Sequence, residues 1–125
     1  MKMKVSKMFK FEAAHSLPYL PEGHKCRRLH GHSYRFEVEC EGEVDDRGFV
    51  IDYADIAKAI NPLVEKMDHQ NLNDLFDFKT TAENLAIYIF TEANKSLPVS
   101  GVAFYETAST KVFLSKKDFE TLEDV

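Results

Sequence analysis

The stretch Leu29-His30-Gly31-His32-Ser33-Tyr34-Arg35-Phe36-Glu37-Val38-Glu39-Cys40-Glu41 alternates without a break. His30, His32, Tyr34, Phe36, Val38 and Cys40 share one parity; Gly31, Ser33, Arg35, Glu37, Glu39 and Glu41 share the other. Period two belongs to the β-strand, whose side chains point to opposite faces in turn, so the stretch predicts a half-buried strand with two histidines at one end of its apolar face. Working toward the N-terminus, Met3 to His15 repeats the pattern, with Phe9, Phe11 and Ala13 sharing a face with His15. Pro18, Pro21 and Gly23 mark the loop between the two strands.

Working toward the C-terminus, Asp45-Asp46-Arg47-Gly48 reads as a turn into a short strand, Phe49-Val50-Ile51, and Asp52 is placed to cap a helix. That helix runs to about Lys66, with Ile56, Ala59, Ile60, Leu63, Val64 and Met67 stepping by three and four, and with a kink expected at Pro62. A loop from Asp68 to Lys79 follows. Thr80 and Glu83 then have capping-box spacing before a second apolar stripe of Ala82, Leu85, Ala86, Ile89, Phe90 and Ala93, which Leu97-Pro98 ends. Strands around Val102 to Glu106 and Lys111 to Leu114, with a turn near Ala108, complete the chain.

These elements predict one α+β domain over residues 1–125, an antiparallel four-stranded sheet with two helices on one face in the order ββααββ. The other sheet face has no cover and both edges are open, so copies of the chain are expected to join into a ring or barrel. The 125 residues are 44% hydrophobic and 30% charged, with a net charge of −5, which disfavours nucleic acid and anionic membranes as partners. Leu85 to Phe90 is far short of the ~18 apolar residues of a membrane span. The start lacks a signal-like apolar region, and Cys26 and Cys40 are too few for a disulfide scaffold, so a reduced cytoplasmic setting is expected.

His30 and His32 project from one strand face with Cα atoms about 6.5–7 Å apart, a span one metal can bridge. His15 joins them if the two strands form a hairpin. Three imidazoles with a fourth position open is the pattern of catalytic zinc, whereas core packing beside Tyr34 and Phe36 is the plainer alternative. Cys26 lies four residues before His30 among Lys25, Arg27 and Arg28, whose charge favours thiolate; it suits a base, or a fourth ligand that would close the site. Cys40 reads as core. Asp68-His69, a carboxylate beside an imidazole in a loop, suits proton shuttling or is a surface pair at a helix end. Glu106 puts a carboxylate on an apolar strand face, where it needs either a ligand with N–H donors or a buried arginine. His24 reads as solvated or supporting.

Taken together, Phe11-Glu12-Ala13-Ala14-His15, Pro21-Glu22-Gly23-His24-Lys25-Cys26, Leu29-His30-Gly31-His32, Met67-Asp68-His69 through Leu72-Asn73-Asp74, Thr81 through Glu83-Asn84, and Glu106-Thr107 occur in an order that resembles the 6-pyruvoyl-tetrahydropterin synthase superfamily. Within it, the chain is similar to the bacterial 6-carboxy-5,6,7,8-tetrahydropterin synthases of 7-deazaguanine (queuosine) biosynthesis. The resemblance implies a tunnelling fold, with subunits closing their sheets into a β-barrel as a trimer or dimer of trimers. It implies zinc on His15, His30 and His32, Cys26 as base, and Asp68 and His69 completing the catalytic set from another subunit. It also implies Glu106 and Thr81 as pterin contacts, while Lys25, Arg27 and Arg28 are candidates for the triphosphate of a 7,8-dihydroneopterin triphosphate substrate, surface salt bridges being their alternative. The compact Cys-x-x-x-His-Gly-His spacing favours the carboxy enzymes over the pyruvoyl synthases, and Cys26 argues against folate-pathway relatives with glutamate there. Ala82 departs from the Ser or Thr common in relatives. A pyruvoyl synthase and a non-catalytic zinc-stabilised pterin-binding module remain the alternatives. The tail Lys116 to Val125 carries no assignment.

Overall fold

The computed structural model describes residues 1–123, which form five strands and four α-helices. Strands β1 (Lys2–His15) and β2 (His30–Glu43) pair antiparallel along their full length, in a register that sets Phe9 opposite Phe36, Phe11 opposite Tyr34 and His15 opposite His30. The first two pairs stack at ring-centroid distances of 5.3 and 4.8 Å, the cross-strand aromatic contacts that stabilise one sheet face and hold its register. Helix α1 (Tyr53–Met67) begins at Asp52, whose side chain accepts from the Ala54 N–H, and it runs continuously through Pro62.

The sheet has five strands among the described residues, not the expected four. Its order is β3-β1-β2-β4-β5, where β3 is the two-residue Gln70–Asn71 parallel to the end of β1, β4 is Val99–Thr107 and β5 is Thr110–Ser115. The expected strand Phe49-Val50-Ile51 does not form. The Asp45 carboxylate instead takes the Arg47 and Phe49 N–H groups, which curls the chain, and Val50 and Ile51 then pack across the sheet end and core.

Helix α2 (Leu72–Leu75) lies within the expected loop, and α3 (Ala82–Ala93) buries Leu85, Ala86, Ile89, Phe90 and Ala93. Both α1 and α3 cover the sheet face that carries Phe11, Tyr34, Phe36, Val38 and Phe104. The unassigned tail contributes α4 (Lys116–Glu123), anchored by Phe119, whose ring stacks on Phe90 at 4.2 Å; Asp124 and Val125 lie outside the described residues. The opposite sheet face stays open, with Glu37, Glu39, Arg35 and Tyr105 beside exposed Met8 and Phe113. No described helix is long and apolar enough to cross a membrane.

Candidate metal centre and its cavity

The β1–β2 register brings His15, His30 and His32 together at the end of the covered sheet face, with ring centroids 4.6 to 5.3 Å apart. Two of the rings are oriented by backbone. His15 Nδ1 lies 2.8 Å from the Thr80 carbonyl oxygen and 3.1 Å from its hydroxyl, and His30 Nδ1 lies 2.7 Å from the Arg28 carbonyl oxygen. A carbonyl only accepts, so both Nδ1 atoms carry the proton and each Nε2 offers a lone pair. Fixing the tautomer through the far nitrogen is how metal-ligating histidines are held.

Glu106, on β4 one turn before β5, reaches into this group. Its Oε1 lies 3.2 Å from His15 Nε2 and 3.3 Å from His32 Nε2, yet neither nitrogen has an aligned hydrogen-bond partner among the described residues. The His15 ring, against the cost of burial and with further help from His32 and His30, holds the Glu106 carboxyl below its ordinary range. Burial, opposed by Glu106 and aided by the two other rings, lowers the pKa of His32. The His15 Nε2 lone pair facing that carboxylate is repelled unless a proton or a metal cation lies between them. The four groups, with ligand atoms all within 4.8 Å of one another, could therefore hold a metal ion.

Cys26 is outside that four-group cluster but borders the same cavity, about 380 Å³ in volume, whose walls are Lys25, Cys26, His30, His32, Glu106 and Thr107. The loop fixes it from both sides. Its N–H donates to His24 Nδ1 at 3.1 Å, and its carbonyl accepts from the Leu17 N–H at 2.8 Å. His24 is thus a support for the thiol's backbone. Arg27 Nη1 is bound to the carbonyls of Pro18 and Leu20 at 2.6 and 2.7 Å, bracing the loop, whereas Lys25 faces the cavity. Cys40 is buried, as expected of a core residue, and burial pushes its thiol up to about 11.

Asp68 and His69 are not in this cavity. Asp68 accepts from the Glu12 N–H and lies 2.9 Å from His69 Nδ1, while the His69 N–H donates back to the Glu12 carbonyl. His69 has φ 59°, uncommon for a residue with a side chain and often a sign of a constrained functional position. It lines a neighbouring cavity of about 560 Å³ with Glu12, Ser33 and His32. Thr81 caps α3, accepting from the Asn84 N–H at 3.2 Å, so the helix starts one residue later than the Thr80/Glu83 spacing suggests. Thr80, freed from capping and fully buried, instead orients His15; sequence reading missed this role because Thr80 and Thr81 are equivalent in pattern.

The 6-pyruvoyl tetrahydropterin synthase family pattern matches residues 4–117. The chain belongs to that family. A Synechocystis relative named 6-carboxy-5,6,7,8-tetrahydropterin synthase is 38% identical over 99 residues, covering 74% of this chain and 75% of the relative. A Pyrococcus furiosus relative named dihydroneopterin monophosphate aldolase is 36% identical over 98 residues, covering 78% and 81%. Among solved structures, Caenorhabditis elegans 6-pyruvoyl tetrahydropterin synthase superposes with a TM-score of 0.83 at 28% identity, over 92% of this chain and 96% of that one.

Proposed function

We propose that this chain is a zinc-dependent 6-carboxy-5,6,7,8-tetrahydropterin synthase, a lyase that converts 7,8-dihydroneopterin triphosphate and water into 6-carboxytetrahydropterin, acetaldehyde and triphosphate. The observation that carries this reading is one cavity bordered by two of the three converging histidines, by Cys26 and by Glu106. His15, His30 and His32 would hold the zinc, which when bound supplies Lewis acidity toward the substrate's side-chain hydroxyls and so acidifies the adjacent C–H. Cys26 is the base that takes that proton, its backbone held on both sides so that the sulfur stays at the cavity wall. Glu106 receives the paired N–H and amino donors of the pterin, a charge-assisted contact that orients the reacting carbon. Lys25 meets the triphosphate; Arg27 shapes the loop that carries it.

Asp68 and His69 complete the catalytic set across a subunit boundary, a reading supported by His69 lining the neighbouring cavity with the Asp68 carboxylate 2.9 Å from its Nδ1. The uncovered sheet face and the unpaired outer edge of β5 support closure of copies into a trimer or dimer of trimers, with the sites between neighbours. The product serves queuosine biosynthesis in the cytoplasm.

The monophosphate aldolase relative supports a second reading, in which the same proton abstraction leads to a different carbon–carbon cleavage. A pyruvoyl synthase would eliminate triphosphate and keep all side-chain carbons. Mass identification of the products from dihydroneopterin triphosphate separates them: 6-carboxytetrahydropterin with acetaldehyde is expected, and a 6-pyruvoyl or 6-hydroxymethyl pterin overturns the proposal. The reading as a non-catalytic module closed by Cys26 is disfavoured by the cluster itself, in which the fourth group is Glu106.

A further inference from the structure

Glu106 is spaced from two of the three histidines as a co-ligand of one ion would be. Nitrogen and oxygen donors at about 2.0–2.1 Å from a tetrahedral zinc stand about 3.3 Å from one another along each tetrahedral edge. Glu106 Oε1 meets that spacing twice, at 3.2 Å from His15 Nε2 and 3.3 Å from His32 Nε2. Its side chain is also 31% exposed and borders the cavity shared with Cys26 and Lys25, so it has room to turn. The carboxylate that would receive the pterin is therefore poised on the metal position. Turned so that both oxygens face two adjacent N–H donors, it cannot also keep Oε1 between two imidazoles.

We infer that Glu106 is an exchangeable fourth metal ligand in the substrate-free protein, and that the seated pterin ring draws it away, opening the fourth coordination position only when a substrate is present. The inference rests on the proposed metal site and on Glu106 as the pterin acceptor. Its consequence is selectivity: hydroxyl compounds and phosphates that lack the ring meet a closed metal. By linkage, metal and pterin ring compete for one carboxylate, so each weakens the other's binding by the same factor.

The test uses pterin without a C6 side chain, which cannot chelate the metal, titrated by its fluorescence into the full chain with and without zinc. Zinc is expected to weaken pterin binding tenfold or more in the wild type and less than twofold in Glu106→Gln. Equal or tighter pterin binding by the zinc-loaded wild type overturns the inference, as does a tenfold effect that persists in Glu106→Gln. Should that variant bind pterin too weakly to titrate, the cobalt-loaded wild type decides. Its visible bands must change on adding pterin, and unchanged bands overturn the inference. Uptake of one zinc per chain without any coupling refutes this inference alone; no zinc uptake refutes the three-histidine site as well.

Discussion

Thr80→Val tests how the site is held. The substitution keeps the shape and β-branching of a fully buried side chain and removes only the hydroxyl 3.1 Å from His15 Nδ1. The Thr80 carbonyl, 2.8 Å from the same nitrogen, remains as acceptor, so the Nδ1 proton is not orphaned and Nε2 keeps its lone pair. The cost is then that of one neutral hydrogen bond, about 0.5–1.5 kcal/mol, and not the larger penalty of an unsatisfied buried donor. For a chain of this length the melting temperature should fall by about 4 °C. Groups that hydrogen-bond the far nitrogen of a metal-bound histidine are typically worth about 10–100-fold in metal affinity; with the carbonyl retained, Thr80→Val should lie at or below the lower end. Urea unfolding without metal and chelator competition with zinc measure the two quantities separately. Unchanged stability would refute a contribution from the hydroxyl, and a loss of zinc affinity beyond 100-fold would refute the assignment of the carbonyl as the group that sets the tautomer.

Other expectations concern the scaffold. Phe36→Ala, which empties a fully buried position between Phe9 and Phe104, should cost about 3–5 kcal/mol in urea unfolding; a loss under 1 kcal/mol would mean the core collapses around the gap. At pH 8 in the native protein, iodoacetamide should label Cys26 and spare Cys40, both reacting once urea is added. Because the folded Cys40 thiol is pushed up from 9.0 to about 11, the unfolded chain loses its proton first as pH rises, so stability should fall between about pH 9 and 11, and Cys40→Ala should flatten that decline. Asp68, held down chiefly by the Glu12 N–H and then by His69, should titrate below 3.8 in a carbon-detected NMR series; the contribution of these contacts is present above its unfolded value and lost as pH falls through the folded one. A midpoint at or above 3.8 would count against the Asp68 contacts with the Glu12 N–H and His69.

The strands and the convergence of the three histidines were legible because period two is an unambiguous signal. Once Phe11 and Tyr34 share a face, parity carries His15, His30 and His32 to the same end, and the hairpin register follows from matching the two apolar sets. Single contacts were not legible. Gln70–Asn71 is too short to show a period, and the left-handed turn at His69 that delivers it has no glycine to announce it. The helix start was misread by one residue because Thr80-x-x-Glu83 and Thr81-x-x-Asn84 are both capping spacings, and burial of Thr80 against His15, a long-range contact, decides between them. Phe119 anchors α4 through one aromatic stack, too sparse a pattern to mark a helix. Glu106 was visible as a misplaced charge on an apolar face, but its approach to two Nε2 atoms depends on a β2–β4 register that alternation alone does not set.

In the proposed reaction the histidines grip the ion while a separate sulfur does the proton chemistry. Metal content and product formation should be measured side by side for the wild type and Cys26→Ala. The expected result is one zinc per chain in both proteins, with turnover of dihydroneopterin triphosphate lost only in the variant. Loss of the zinc along with the thiol, or full turnover without it, would contradict the account.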